Sequence, residues 1–153
     1  DTGWCIPKKD FMKWQRQVLT DLNFIDSEID DLVYHYGRLL FDNQYLEKYL
    51  IIYPQMKEIV DQSVSLAVTP KPDYVYRIWF YIRPQAEPVA IAPPSLPSID
   101  RIGFSAIEAG YLTDRELPEA RDIQVEPGRR VISSLLAPWV KQFHEAYYSH
   151  RFQ

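Results

Sequence analysis

The residues able to act as metal ligands or nucleophiles are few and scattered in this sequence. The three histidines are His35, His144 and His150, and Cys5 is the one cysteine. Asp31 and His35 stand four residues apart, which places both on one face of a helix. Two ligands do not make a zinc site, however, and no H-E-x-x-H motif accompanies them. A lone cysteine cannot form an intramolecular disulfide or a multi-cysteine metal site. We therefore predict no metal site and no cofactor.

Carboxylates are concentrated in two places. The acidic run 26–31 resembles the opening of a calcium-binding loop, but the glycine and glutamate required at the sixth and twelfth positions are replaced by Asp31 and Gly37. The run is better explained as the start of a helix, where the helix dipole favours negative charge. A second group lies in the least regular part of the chain and leaves a catalytic carboxylate pair open: Glu108, Asp114, Glu116 and Glu119.

Signatures of the common nucleotide-binding and hydrolase sites are absent. The sequence contains no G-x-x-x-x-G-K-[ST], no G-x-G-x-x-G and no G-x-S-x-G, and its five glycines do not cluster. The net charge of −4 disfavours nucleic-acid binding, which depends on basic side chains that neutralise phosphates. No stretch approaches the roughly 20 apolar residues of a membrane span. We expect a soluble protein and leave its localisation open.

Amphipathic helices are predicted over the first part of the chain, residues 10–67. Apolar residues recur at helical spacing from Phe11 to Leu22, with Asp10 as a plausible N-cap, and again from Ile29 to Leu40. The pattern restarts at residues 45–53, where we predict a third helix that breaks near Pro54, and continues over 56–66. Short helices of this kind are marginal alone, so we expect a bundle of three or four.

A strand and an extended arm are predicted over residues 73–100. Residues 73–83 are rich in β-branched and aromatic side chains, with the even positions from Tyr74 to Ile82 on one face and the odd positions from Val75 to Arg83 on the other. Its partner strand would come from 89–92, from 123–125 or from another molecule. Five prolines then favour an extended arm against a surface: Pro84, Pro88, Pro93, Pro94 and Pro97.

One or two short helical turns and one long helix are predicted in the remaining chain. Ser105–Glu108 and Thr113–Glu116 match the S/T-x-x-E capping box and indicate short helical turns. Apolar spacing predicts a long C-terminal helix over 129–149. The sequence therefore predicts a single α+β domain over 1–153 that is mostly helical, with an N-terminal bundle, a small β element near 73–83, a proline-rich arm and a C-terminal helix.

The function predicted from these features is a non-enzymatic protein-interaction or structural subunit of a larger assembly. Tyr, Trp and Phe make up 14% of the chain, and such side chains suit interfaces as well as cores. Edge strands and extended arms are common means of recruiting another chain. The candidate partner-binding residues are Trp79, Tyr81, Pro93, Pro94, Tyr148 and Phe152. The first alternative is a small enzyme or ligand-binding protein with a pocket between helices and strand, lined by Tyr74 and Tyr76, and the less favoured one is a helical nucleic-acid-binding module.

Overall fold

The computed structural model describes residues 2–41 and 47–113, which form a four-stranded mixed sheet with three helices. The strands are β1 (Trp4–Pro7), β2 (Tyr49–Met56), β3 (Tyr74–Gln85) and β4 (Ser105–Thr113). The helices are α1 (Phe11–Asp21), α2 (Asp26–Phe41) and α3 (Lys57–Ser63), and a single 3-10 turn, Lys8–Asp10, joins β1 to α1. The prediction of a mostly helical protein built on a helical bundle is wrong.

The strands follow one another in chain order across the sheet. β1 pairs antiparallel with β2, β2 pairs antiparallel with β3, and β3 pairs parallel with β4. The strand prediction over 73–83 is confirmed by β3. β2 and β4 flank β3 on its two sides. Neither strand was among the partners predicted for it.

β2 occupies the place of the predicted third helix. Leu50 and Ile52 enter the core beneath α1 and α2, while Ile51, on the opposite face, is also buried. A strand buried on both faces gives a continuous apolar run, which spacing alone does not separate from a helix. Pro54 lies inside this strand, beyond the last residue that β1 pairs, where a missing amide proton is tolerated.

β4 replaces the helical turn predicted from the first capping box. Ala109 and Tyr111 point to the face covered by α1 and α2, while Glu108 points to the opposite face and binds side chains of β3. The second capping box, residues 123–125 and the C-terminal helix predicted over 129–149 lie outside the described residues or extend beyond them. The assignment of 1–153 to one domain stays a prediction.

The main core lies between the sheet and the helices α1 and α2, not within the predicted helical bundle, and the buried faces of both helices follow the helical spacing of their apolar residues. Aromatic rings dominate it: Trp14 lies edge-on to Trp4 at 5.3 Å between ring centroids and to Phe80 at 5.5 Å. On the other face of the sheet, Val60 of α3 packs on Trp79. The alternation along β3 therefore decides which side chains meet each helical layer.

Residues 86–104 connect β3 to β4 without a helix or strand, and Pro84, which was predicted to belong to the arm, lies within β3. The segment first passes β1, where the Gly3 amide donates to the Ala92 carbonyl at 2.9 Å. It then reaches the end of α1, where the Ile99 amide donates to the Leu22 carbonyl at 2.9 Å and the Ile99 side chain is buried. The proline-rich arm thus lies against the protein's own surface and ends beside the α1–α2 turn.

Candidate interaction surface

Three large apolar side chains are exposed where the end of the arm meets the α1–α2 turn. Ile25 is 50% exposed, Ile102 is 59% exposed and Phe104 is 46% exposed. We call these three residues the corner patch. Single exposed apolar side chains are common, whereas neighbouring ones that form a patch mark contact surfaces.

Asp73 binds the backbone of Phe104. The Asp73 side chain accepts a hydrogen bond from the Phe104 amide at 2.8 Å, and the Asp73 amide donates to the Phe104 carbonyl at 2.8 Å. Gly103, between Ile102 and Phe104, has a φ of +58°, a conformation that glycine adopts without steric cost. A Cβ atom at this position would lie 2.4 Å from Asp73 Oδ2, so the close approach also requires glycine.

Ile25 is tied to the same loop through a shared carboxylate. Glu28 Oε2 accepts from the Ile25 amide at 3.1 Å and from Arg101 Nη2 at 2.5 Å, and Arg101 Nη1 donates to Glu28 Oε1 at 3.2 Å. The Ile25 amide and the Arg101 guanidinium therefore approach one oxygen atom. This bidentate pair fixes the position of Ile102, the next residue after Arg101, relative to Ile25.

Further bonds anchor the arm beneath the patch. Asn23, in the left-handed conformation with a φ of 67°, donates from Nδ2 to the Ile99 carbonyl at 3.0 Å. The Tyr76 hydroxyl donates to the Pro97 carbonyl at 2.9 Å, and the Tyr74 hydroxyl accepts from the Asp100 amide at 3.1 Å. These two tyrosines, which the ligand-pocket alternative placed around a cavity, hold the arm in the described structure. Burial raises the pKa of Tyr76 to about 12.

A buried polar network occupies the opposite face of the sheet, beneath α3. Arg77 donates from Nε to Glu108 at 2.6 Å and from Nη1 to Asp61 at 2.6 Å and to the Val64 carbonyl at 2.8 Å. Trp79 Nε1 donates to the second oxygen of Glu108 at 3.1 Å. Hydrogen bonds from Lys57 and Arg77 lower the pKa of Asp61. Every charge of the network is matched within it, and its hydrogen bonds attach α3 to the sheet.

The predicted partner-binding residues fall in different environments. Trp79 is only 3% exposed and lies under α3, so its ring forms part of the second core. Tyr81 is half-buried and stacks on Tyr53 at 6.3 Å between ring centroids. Pro93 is exposed and Pro94 half-buried on the arm, away from the corner patch in sequence. Tyr148 and Phe152 lie outside the described residues, and the partner role of all six stays a prediction.

The corner patch was not among the sequence candidates. Ile25 stands in a short turn between helices, and Ile102 and Phe104 stand in a loop outside every apolar pattern. Two signals could have indicated them: large apolar residues in loops, and Gly103 between two of them. Neither signal shows that Ile25 and Ile102 belong to one surface. The arm brings Arg101, the neighbour of Ile102, to the same Glu28 carboxylate that binds the Ile25 amide.

Arrangements that would support chemistry are sparse in the described part of the chain. Within residues 2–41 and 47–113, no group of three His, Cys, Asp or Glu side chains could hold a metal ion. Burial raises the pKa of Tyr111 far above its usual range, and its hydroxyl accepts from Gln15 Nε2 at 2.7 Å inside the main core. An open cleft of about 500 Å³ at the start of β2 is lined by Pro7, Lys8, Lys9, Glu47, Lys48 and Tyr49.

The chain matches no known protein family, no curated protein and no solved structure. None of the described helices is long and apolar enough to cross a membrane. The function is therefore inferred from the chain's own residues.

Proposed function

We propose that this protein is a non-enzymatic interaction subunit of a larger protein assembly and that the corner patch is a contact surface for another subunit. The observation that carries the proposal is the exposure of Ile102 and Phe104 on either side of a positive-φ glycine, with the Phe104 backbone hydrogen-bonded to Asp73. Preorganised apolar side chains lose little conformational entropy on binding, and this favours association. In the isolated domain, two ordered apolar side chains in water contribute no binding free energy that would offset the entropy lost in ordering them.

The aromatic strand, the arm and the C-terminal segment stay parts of the proposal. Tyr81 and Pro93 keep exposed surface for a partner, whereas the burial of Trp79 makes its replacement a test of folding first. We place the corner patch ahead of these residues because its side chains are more exposed than those of Tyr81 and Trp79.

The proposal is tested on the particle isolated from its native source. A tagged chain should elute in a particle whose mass, measured by light scattering, lies well above 18.1 kDa and includes other chains. Replacing Ile102 and Phe104 by serine should release those chains while circular dichroism stays unchanged. The matched control replaces Ile59 and Val89 by serine, since these are 49% and 44% exposed and lie elsewhere. A monomeric native particle, or chains retained by the corner-patch variant, would refute the proposal.

A small-molecule-binding function is the alternative, and the cleft at the start of β2 is the observation that favours it. Lys9 and Lys48 are exposed at this cleft, and its size fits a small anionic ligand. A thermal-shift screen with phosphorylated and carboxylated metabolites tests it. Stabilisation that disappears on replacing Lys9 and Lys48 by glutamine would support this alternative over the interaction subunit.

A further inference from the structure

The corner patch carries an excess of negative charge at its margin. Asp26 begins α2 one residue after Ile25, and Asp100 precedes the Arg101–Glu28 pair, and both aspartates are exposed. Neither has an ion-pair partner among the residues that the structure describes. The Arg101 charge is matched by Glu28, and Lys71 is the remaining cation near Asp73 along the chain. Among the described residues, the three aspartates Asp26, Asp73 and Asp100 and the one lysine Lys71 thus lie near the three apolar side chains, either along the chain or through the Asp73–Phe104 hydrogen bonds.

We infer that the partner segment seated on this patch is a basic amphipathic one, with apolar anchors flanked by lysine or arginine. This inference rests on the proposed function. Apolar side chains at the centre and opposite charges at the rim are the usual division of an interface, in which the centre supplies affinity and the rim speeds and orients association. A second copy of this chain does not fit through the same patch, because it would bring the same aspartates against these.

The geometry also limits the length of the contact. Three apolar side chains stand on two loops joined by one ion pair, so the partner needs only a few apolar anchors. A single amphipathic turn or helix face that offers a few apolar side chains between basic ones matches such a surface. We therefore expect moderate affinity that weakens as salt rises.

Three synthetic peptides serve as probes of the full chain. The first is a helical peptide of leucine and lysine with its leucines on one face, the second replaces lysine by glutamate, and the third scrambles the first. Binding is followed by fluorescence anisotropy of the labelled peptides at low and high salt. The leucine–lysine peptide should bind about tenfold more tightly than either of the others, and high salt should weaken it.

Variants locate the binding. Replacing Ile102 and Phe104 by serine should weaken the leucine–lysine peptide about tenfold, as truncation of interface anchors does. Replacing Asp26 and Asp100 by asparagine should weaken it about threefold and reduce the salt dependence. The control variant with Ile59 and Val89 replaced by serine should bind like the wild type.

The outcomes separate this inference from the proposed function. The basic-segment inference would be overturned by any of four results. These are equal binding of the scrambled peptide, an equal loss of binding in the control variant, self-association of the chain, and no binding of the leucine–lysine peptide. If the native particle still loses its other chains when Ile102 and Phe104 are replaced, the interaction function stands without that inference. If the native particle is also unaffected, both fall.

Discussion

Removing Glu108 should destabilise the protein strongly, because it leaves a buried arginine short of a partner. The side chains of Arg77 and Glu108 are 1% and 8% exposed and bond at 2.6 Å. Breaking a buried ion pair on one side costs about 3–5 kcal/mol. Arg77 keeps Asp61, which is partly exposed, so we take the lower end, about 3 kcal/mol. Loss of the acceptor for Trp79 Nε1 adds about 1 kcal/mol. Glu108→Leu should therefore cost about 4 kcal/mol.

The double variant Arg77→Met with Glu108→Leu decides whether this reasoning holds. It buries no unpaired charge, and replacing a buried ion pair by apolar side chains is often close to neutral. Its cost should be about 1–2 kcal/mol, mostly from the unsatisfied Trp79 nitrogen, so it should be more stable than Glu108→Leu alone.

The assay is urea unfolding of Glu108→Leu, Arg77→Met, the double variant and the wild type, followed by far-UV circular dichroism and by tryptophan fluorescence. The control is Arg16→Met, which breaks an ion pair to Asp30 that is exposed on both sides and should cost under about 1 kcal/mol. If the double variant loses as much free energy of unfolding as the two single variants together, the single variants are not destabilised by an unpaired buried charge. That result would refute the account.

Three further predictions concern a titration, a glycine and a buried tyrosine. Hydrogen bonds from Lys57 and Arg77 lower the Asp61 pKa below its ordinary 3.8, so this carboxylate stabilises the fold above that value and stops doing so as the pH falls through its lowered pKa. Asp61→Asn should therefore be less stable than the wild type in urea at neutral pH, with the gap closing in acid, and a gap independent of pH would contradict this. Gly103→Ala should cost about 1–2 kcal/mol in thermal unfolding, because it combines a positive φ with a clash against Asp73, and a neutral result would show that the loop yields easily. Tyr111→Phe should cost about 1 kcal/mol in urea unfolding, because Gln15 Nε2 loses its shorter bond, and a gain in stability would show that the hydroxyl is a net burden in the core.

The sequence by itself determined the elements whose patterns are local. The starts of α1 and α2, with apolar residues at helical spacing from Phe11 and from Ile29, follow from periodicity, because one face of each helix is buried. β3 was predictable because β-branched and aromatic residues fill it, and its two faces follow from alternation. The extended course of the arm follows from proline, which removes backbone donors.

Tertiary structure decided what the local pattern leaves open. β2 reads equally as helix or strand, since Leu50, Ile51 and Ile52 are all buried, and the strands on either side settle the choice. Glu108 resembled a capping residue, but pairing of β4 with β3 places it opposite Arg77. The corner patch exists only because the arm carries residues 99–104 back to the α1–α2 turn, where Glu28 joins Ile25 to Arg101. Contacts between residues more than seventy positions apart have no local signature, so only the folded chain reveals them.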